Sequence, residues 1–210
     1  MTSKTVSDPV CVPQFHVALQ SGDEDVLKRM RRRYTPEKFI HCTDLIREKM
    51  PDAAIGTDIM VGFPGETDKE FENSFNLAKD SALTYFHVFP YSKRKGTPAA
   101  IMPNQIHPQV IKDRSSLLRE LGHQKKNEFY RSFIGRKFSV LVERPVLSRS
   151  PERSEGSVEG GSRGTTPNYI SVRILDGDFK IGDEVQVEIR DVKGKEALGL
   201  PESTVNPQMG

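Results

Sequence analysis

The sequence predicts an α/β fold, a parallel sheet with helical crossovers followed by a small antiparallel β-barrel, and three observations predict it. Short apolar runs and amphipathic stretches alternate as β, α, β, α, β over residues 15–89, the signature of parallel strands joined by right-handed crossovers. The run Gly56-Thr-Asp-Ile-Met-Val-Gly-Phe-Pro-Gly-Glu-Thr67 ends a strand in a glycine-rich turn. Beyond Gly135 the apolar period changes from helical to two, which fits a small barrel.

The elements follow in order. Residues 15–19 form an apolar strand that stops at Gln20-Ser-Gly22, and 23–33 have helical composition and spacing. Thr35-Pro36 supplies an N-cap with proline at the first helical position, for a helix to about residue 49 whose buried face is Phe39, Ile40, Leu45 and Ile46; Pro51 ends it. A strand covers 55–61. Gly62 and Gly65 let backbone approach a ligand, and Thr67 with Glu70 makes a capping box for a helix over 68–79. A third strand covers 85–89. After the loop Tyr91-Ser-Lys-Arg-Lys-Gly-Thr-Pro98, Val110, Ile111, Leu117, Leu118 and Leu121 repeat at helical spacing in a long helix over 108–133 that Gly135 closes. Residues 137–143, 168–174 and 184–189 alternate as strands, with turns at Gly177 and Gly182. Residues 144–164, rich in Ser, Gly and Pro, are expected to be a disordered insert, and 200–210 a frayed tail. The domains are therefore 1–134 and 135–199.

Composition sets bounds. Lys plus Arg is 31 against 29 for Asp plus Glu, so the net charge of +2 says little about partners. Cys11 and Cys42, without a CxxC or a histidine at ligand spacing, argue against a zinc site or a disulfide framework and read as free thiols. His16, His41, His87, His107 and His123 read as structural. Without a leader pattern or a stretch of 18 apolar residues, the chain reads as cytoplasmic, with no membrane partner.

Polar residues at strand ends carry the functional signal. Gln20, Asp58 and Ser92 fall where three consecutive strands meet their following segments, and the carboxyl ends of parallel strands are where ligands bind. A carboxylate inside the apolar run of 58–61 is costly unless bonded, so either a ligand hydroxyl or a protein donor uses Asp58; an ordinary βα turn with a satisfied Asp is the alternative. From spacing alone Arg32 either reaches back to a ligand carboxylate or belongs to a solvated basic helix face, and the solvated face is favoured. The clusters Lys28-Arg-Met-Arg-Arg-Arg33 and Lys93-Arg-Lys95 are either solvated faces or phosphate contacts.

Four ordered motifs, His16-Val-Ala-Leu-Gln-Ser-Gly22, Leu27-Lys-Arg-Met-Arg-Arg-Arg-Tyr-Thr35, Thr57-Asp-Ile-Met-Val-Gly-Phe-Pro-Gly-Glu-Thr67 and Tyr91-Ser-Lys-Arg-Lys-Gly-Thr-Pro-Ala-Ala100, strongly resemble the radical S-adenosylmethionine tRNA methylthiotransferases. The resemblance runs from about residue 15 to 198, and from Lys137 on, with Thr166-Pro-Asn-Tyr-Ile170, it matches the family's RNA-binding TRAM barrel. It implies that Gln20, Ser21, Arg32 and Asp58 hold the methionine and ribose portions of S-adenosylmethionine and that Gly62 flanks the adenine; for Arg32 this replaces the solvated face that spacing alone suggests. It implies tRNA as partner, contacted by Lys93, Arg94, Lys95, Lys137, Asn168 and Tyr169. Phe86-His-Val-Phe-Pro-Tyr-Ser92 with Arg94 is most similar to the branch acting on threonylcarbamoyl-adenosine beside the anticodon; the isopentenyl-adenosine branch is the competitor.

The sequence departs from the family in two respects: the long loop at 144–164 departs from its compact pattern, and, more important, these residues contain no CxxxCxxC triad for a 4Fe–4S cluster and no further cysteine-bearing domain before it. Two isolated cysteines do not supply a cluster's thiolates. The expectation is a C-terminal portion, half a radical-SAM barrel plus its TRAM barrel, inactive without the missing cluster-binding half, which is either supplied by another chain or lost through truncation. Two alternatives stand beside it, a non-catalytic tRNA-binding protein and a half barrel whose unpaired edges drive association.

Overall fold

The computed structural model describes residues 12–145 and 161–202. The chain forms two compact units, Met1–Lys126 and Asn127–Gly210.

In the first unit, β1 (Gln14–His16), β2 (Ala54–Val61) and β3 (Tyr85–Pro90) form a parallel sheet in the order β1-β2-β3, with Phe15 opposite Ile55 and Asp58 opposite His87. The intervening helices are α1 (Glu24–Arg29), α2 (Pro36–Lys49) and α3 (Asp68–Asp80); the four-residue α4 (Pro98–Ile101) precedes α5 (Pro108–Arg131). Because strand side chains alternate, Ile55, Ile59 and Val61 point to one face. There they join Phe39 and Ile46 of α2, Ala78 of α3, Phe86 of β3 and Leu118 and Leu121 of α5 in one core. The opposite face carries His16, Asp58, Met60, His87 and Phe89, all partly or fully exposed. The expected caps are present: Thr35 accepts from Lys38 N–H with Pro36 at N1, and Thr67 and Glu70 form the capping box of α3.

Three details differ from expectation. Helix α1 stops at Arg29 rather than at residue 33, because Arg31 takes a left-handed φ of 58°. Arg31 N–H then bonds Lys28 C=O at 2.9 Å and Arg32 N–H bonds Leu27 C=O at 2.9 Å, the paired bonds of a Schellman stop without its usual glycine. On α2 the buried stripe is Pro36, Phe39, Thr43 and Ile46, which leaves Ile40 and Leu45 exposed. On α5 Leu118 and Leu121 are buried while Val110 and Leu117 are exposed.

The second unit is a closed five-stranded barrel of β4 (Lys137–Pro145), β5 (Ser162–Thr165), β6 (Ser171–Ile174), β7 (Glu184–Lys193) and β8 (Glu196–Pro201), ordered β4-β5-β6-β8-β7. The pairings are antiparallel except β6 with β8, which is parallel. Val140, Val142, Val172, Ile174, Val187 and Ile189 fill its interior together with Tyr130 and Phe133. Strand β5 takes up the end of the segment expected to be disordered, and β8 takes up the start of the expected tail; residues 146–160 and 203–210 lie outside the described residues, as does Cys11. Gly135 turns the chain into the barrel at a φ of 84°, its N–H on Ile189 C=O at 2.8 Å. Among the described residues no helix is long and apolar enough to cross a membrane.

Candidate cofactor cleft and RNA-facing surface

At the carboxyl edge of the sheet the first strand detaches and re-joins. Between Val17 and Leu19 the β2 neighbour is replaced by a side chain: Thr57 Oγ1 donates to Val17 C=O at 2.6 Å and accepts Leu19 N–H at 3.0 Å. Pairing resumes at Gln20, whose N–H bonds Asp58 C=O and whose C=O accepts Met60 N–H, both at 2.8 Å. Gln20 itself has a φ of 67°, and Ser21 N–H bonds back to Leu19 C=O at 2.9 Å. That is a three-residue γ-turn of the strained, positive-φ kind. The same Leu19 carbonyl accepts the Tyr34 hydroxyl at 2.9 Å.

Opposite Gln20 stands the left-handed stop of α1. A cleft of about 290 Å³ lies here, with Gln20, Arg29, Arg32, Met60, Phe63 and Met102 among its lining; the size is at the lower bound for small-molecule sites. The structure thus brings together Gln20 and Arg32, and the stop of α1 takes Arg32 off the helix face that spacing alone assigns to it. Arg29 is engaged: its guanidinium grips Glu70 by two bonds of 2.8 and 2.9 Å. Those bonds hold the Glu70 carboxyl below its ordinary pKa and raise that of Arg29. Among the described residues no such pair is seen for Arg31 or Arg32, both exposed, so the cleft presents free cationic donors and one amide beside the apolar surfaces of Met60 and Phe63. Such a lining suits a ligand with a carboxylate at one end and an apolar ring at the other.

The other expected cofactor residues lie elsewhere around this edge. Asp58 projects from the half-exposed sheet face, with His16 Nε2 3.5 Å from its carboxylate; the burial cost inferred from its apolar neighbours does not arise, because strand alternation turns it away from the core. Ser21 is fully buried, its hydroxyl 3.1 Å from that of Ser74 and accepting Asp23 N–H at 3.2 Å. Gly62, at a φ of 79°, packs against Ile111; a Cβ there would lie 2.4 Å from Ile111 Cγ1.

Beneath the glycine turn is a buried network that spacing does not reveal. Glu66, 2% exposed, accepts Gly62 N–H and Arg114 Nη1 at 2.8 Å each, and Arg114 also reaches Glu66 C=O at 3.1 Å and Asp68 at 2.6 Å. Its guanidinium lies 5.2 Å from the centre of the Phe71 ring. Burial pushes the Glu66 carboxyl pKa up against the pull of Gly62 N–H and Arg114. The sequence carries one signal for this: Arg114 interrupts the apolar stripe that Ile111, Leu118 and Leu121 make on α5. Tyr34 and Thr57, which satisfy backbone around Gln20, carry none.

Of the residues expected to face RNA, Lys93, Arg94 and Lys95 are exposed in the loop after β3, where Arg94 C=O accepts the Thr97 hydroxyl at 2.8 Å. In the barrel unit Lys137 pairs with Glu202. Tyr169 is 60% exposed at a φ of 63°, held out by a tight turn in which the Thr166 hydroxyl donates to the buried Asn168 at 2.6 Å and accepts Ile170 N–H at 2.9 Å.

Residues 8–78 match the Radical SAM superfamily. The chain is 44% identical over 178 residues to the threonylcarbamoyladenosine tRNA methylthiotransferase MtaB of Rickettsia prowazekii, over 85% of this chain and 38% of that protein. It is 43% identical over 134 residues to the tRNA-2-methylthio-N(6)-dimethylallyladenosine synthase of Thermobifida fusca, over 64% of this chain and 27% of that protein. The synthase of the same name from Clavibacter michiganensis subsp. michiganensis is 37% identical over 188 residues, 86% of this chain and 34% of that protein. The chain therefore spans between 27% and 38% of the length of these relatives.

Proposed function

This chain belongs to the radical S-adenosylmethionine tRNA methylthiotransferase family, and from that premise we propose that it is the C-terminal portion of an enzyme that adds a methylthio group to threonylcarbamoyl-adenosine next to the anticodon of cytoplasmic tRNA. The observation that carries the reading is the convergence of Gln20 and Arg32, twelve positions apart, on one cleft at the carboxyl edge of a parallel sheet. The lining fits S-adenosylmethionine, which supplies the radical and methyl chemistry of this family. Arg32 takes the carboxylate of its amino-acid end and the Gln20 amide its other polar groups, while Met60 and Phe63 cover the adenine. Asp58 serves the ribose from the adjoining sheet face, and Ser21 and Gly62 shape the edge from behind. The protein's share is orientation and exclusion of water, since the cofactor carries the hard chemistry.

The residues described do not fit an iron–sulfur cluster. Cys42 stands alone and exposed on α2, and among the described residues no three His, Cys, Asp or Glu side chains converge. We assign the cluster cysteines to a separate N-terminal half. On the RNA side, Lys93, Arg94, Lys95 and Lys137 contact phosphates and Tyr169 offers a stacking surface, with Asn168 holding its turn. The 44% identity to a threonylcarbamoyladenosine enzyme and the Phe86 to Ser92 motif favour that substrate. The similarity to dimethylallyladenosine synthases supports the second reading, in which isopentenyl-adenosine is modified.

Titration calorimetry with S-adenosylhomocysteine tests the cleft: binding by the chain and at least a tenfold loss in Arg32→Ala are expected, and silence of the unaltered chain overturns the reading. Co-expression with a cluster-binding N-terminal half, followed by mass spectrometry of tRNA nucleosides, tells which adenosine gains the methylthio group. Absence of any methylthio product would leave only a non-catalytic tRNA-binding protein.

A further inference from the structure

The cleft has two polar walls, Gln20 where the chain re-joins β2 after the first strand, and Arg31 and Arg32 after the stop of α1. Both walls are held in left-handed backbone, Gln20 at a φ of 67° and Arg31 at 58°. Neither residue is a glycine, and each such position is strained and persists only where its surroundings enforce it. At Gln20 the enforcement is visible. Leu19, immediately before it, has its N–H taken by Thr57 Oγ1 at 3.0 Å. Its carbonyl accepts two donors, Ser21 N–H at 2.9 Å, which closes the γ-turn, and the Tyr34 hydroxyl at 2.9 Å. Tyr34 closely follows Arg31 and Arg32 in the chain, so its hydroxyl ties one wall of the cleft to the other. The ring is half-buried, and burial raises the pKa of a hydroxyl that is already a protonated donor at neutral pH.

We propose that Tyr34 is a positioning residue that latches the two polar walls together, fixing the γ-turn that aims Gln20 and the loop that carries Arg32; the proposal rests on the reading of this cleft as the S-adenosylmethionine site. The latch acts on the groups that hold the amino-acid end of the ligand rather than on the apolar side chains of Met60 and Phe63. A ligand with that end therefore depends on Tyr34, and one that lacks it does not.

The test compares the full chain with Tyr34→Phe, which removes one oxygen and keeps the ring's packing. Affinity for S-adenosylhomocysteine, which has the amino-acid end, is expected to fall about fivefold, the equivalent of one hydrogen bond, while affinity for 5′-methylthioadenosine, which lacks it, stays unchanged. An equal fall for both ligands makes Tyr34 a merely structural residue and overturns the proposal, as does no fall for either. Hydrogen exchange without ligand gives the second readout: faster exchange in Tyr34→Phe confined to peptides covering 19–21 and 31–34 supports the latch, and unchanged or uniformly faster exchange refutes it. If the unaltered chain binds neither ligand, the cofactor reading fails by itself, and the exchange pattern still decides the latch.

Discussion

Replacing Arg114 by methionine removes the cation from the network under the glycine turn and keeps an unbranched apolar stem on Phe71. The guanidinium serves Glu66 at 2.8 Å and Asp68 at 2.6 Å, but the two bonds differ in worth. The Asp68 side chain is 99% exposed, so its share is below about 1 kcal/mol. Glu66 is 2% exposed, and stranding a buried charge costs about 3 to 5 kcal/mol. Gly62 N–H remains on the carboxylate, which places the expected loss near the lower end, about 3 to 4 kcal/mol at pH 7.5. The loss is linked to protons. Burial already holds the folded-state pKa of Glu66 above its ordinary 4.5, and without Arg114 it rises further. The folded variant then binds more protons than the unfolded chain between the two values, so its stability increases as pH falls through that window. The deficit relative to the unaltered chain should therefore shrink as pH falls, because the isolated Glu66 carboxyl takes up its proton at higher pH than the paired one does. Adding Glu66→Gln should recover all but about 1 kcal/mol, because a neutral pair needs no counter-charge. The two units need not unfold together, so urea unfolding read by hydrogen exchange in peptides of residues 12–126 is the measurement. A loss under about 1 kcal/mol at pH 7.5, an equal loss at pH 5, or a double variant no better than the single would refute the reasoning.

Two further outcomes are expected. Gly62→Ala should destabilise the first unit by about 2 to 4 kcal/mol, from a left-handed alanine and overpacking against Ile111; Ile111→Ala should restore the packing part only, as thermal melts of single and double variants will show. Arg29 holds the Glu70 carboxyl below its ordinary value, so this pair contributes stability that is present above about pH 4.5 and lost as pH falls through the folded value. Glu70→Gln should flatten that acid slope and cost about 0.5 to 1 kcal/mol at pH 7 for a partly solvated pair, readable from urea midpoints across pH 3 to 7.

What the sequence discloses follows from which bonds are local. The β2 run, the capping box of Thr67 and Glu70 and the Thr35-Pro36 start of α2 are each set by residues close to one another in the chain, and all stand as expected. Strands β5 and β8 escape for a physical reason. Their inward positions are Ser162 and Gly164, and Ala197 and Gly199, because Val140 and Val187 from neighbouring strands occupy the space: a Cβ on Gly164 would lie 2.6 Å from Val140 Cγ1 and one on Gly199 2.3 Å from Val187 Cγ1. A small barrel filled from three strands leaves the other two without apolar alternation, so period-two reading finds only the strands that do the filling. At the site the same logic acts on the backbone. Gln20 and Arg32 are legible as polar residues at a strand end and in a basic run, but their convergence depends on two left-handed residues that spacing gives no reason to place. At Gln20 that conformation is stabilised by Thr57 and Tyr34, whose bonds to Leu19 span 38 and 15 positions. Side chains there substitute for a strand neighbour, and a substitution of that kind leaves no period to detect. The cleft is therefore specified by long-range satisfaction of one residue's backbone, which is why Leu19, an ordinary core leucine by its side chain, is the residue on which the placement of Gln20 turns.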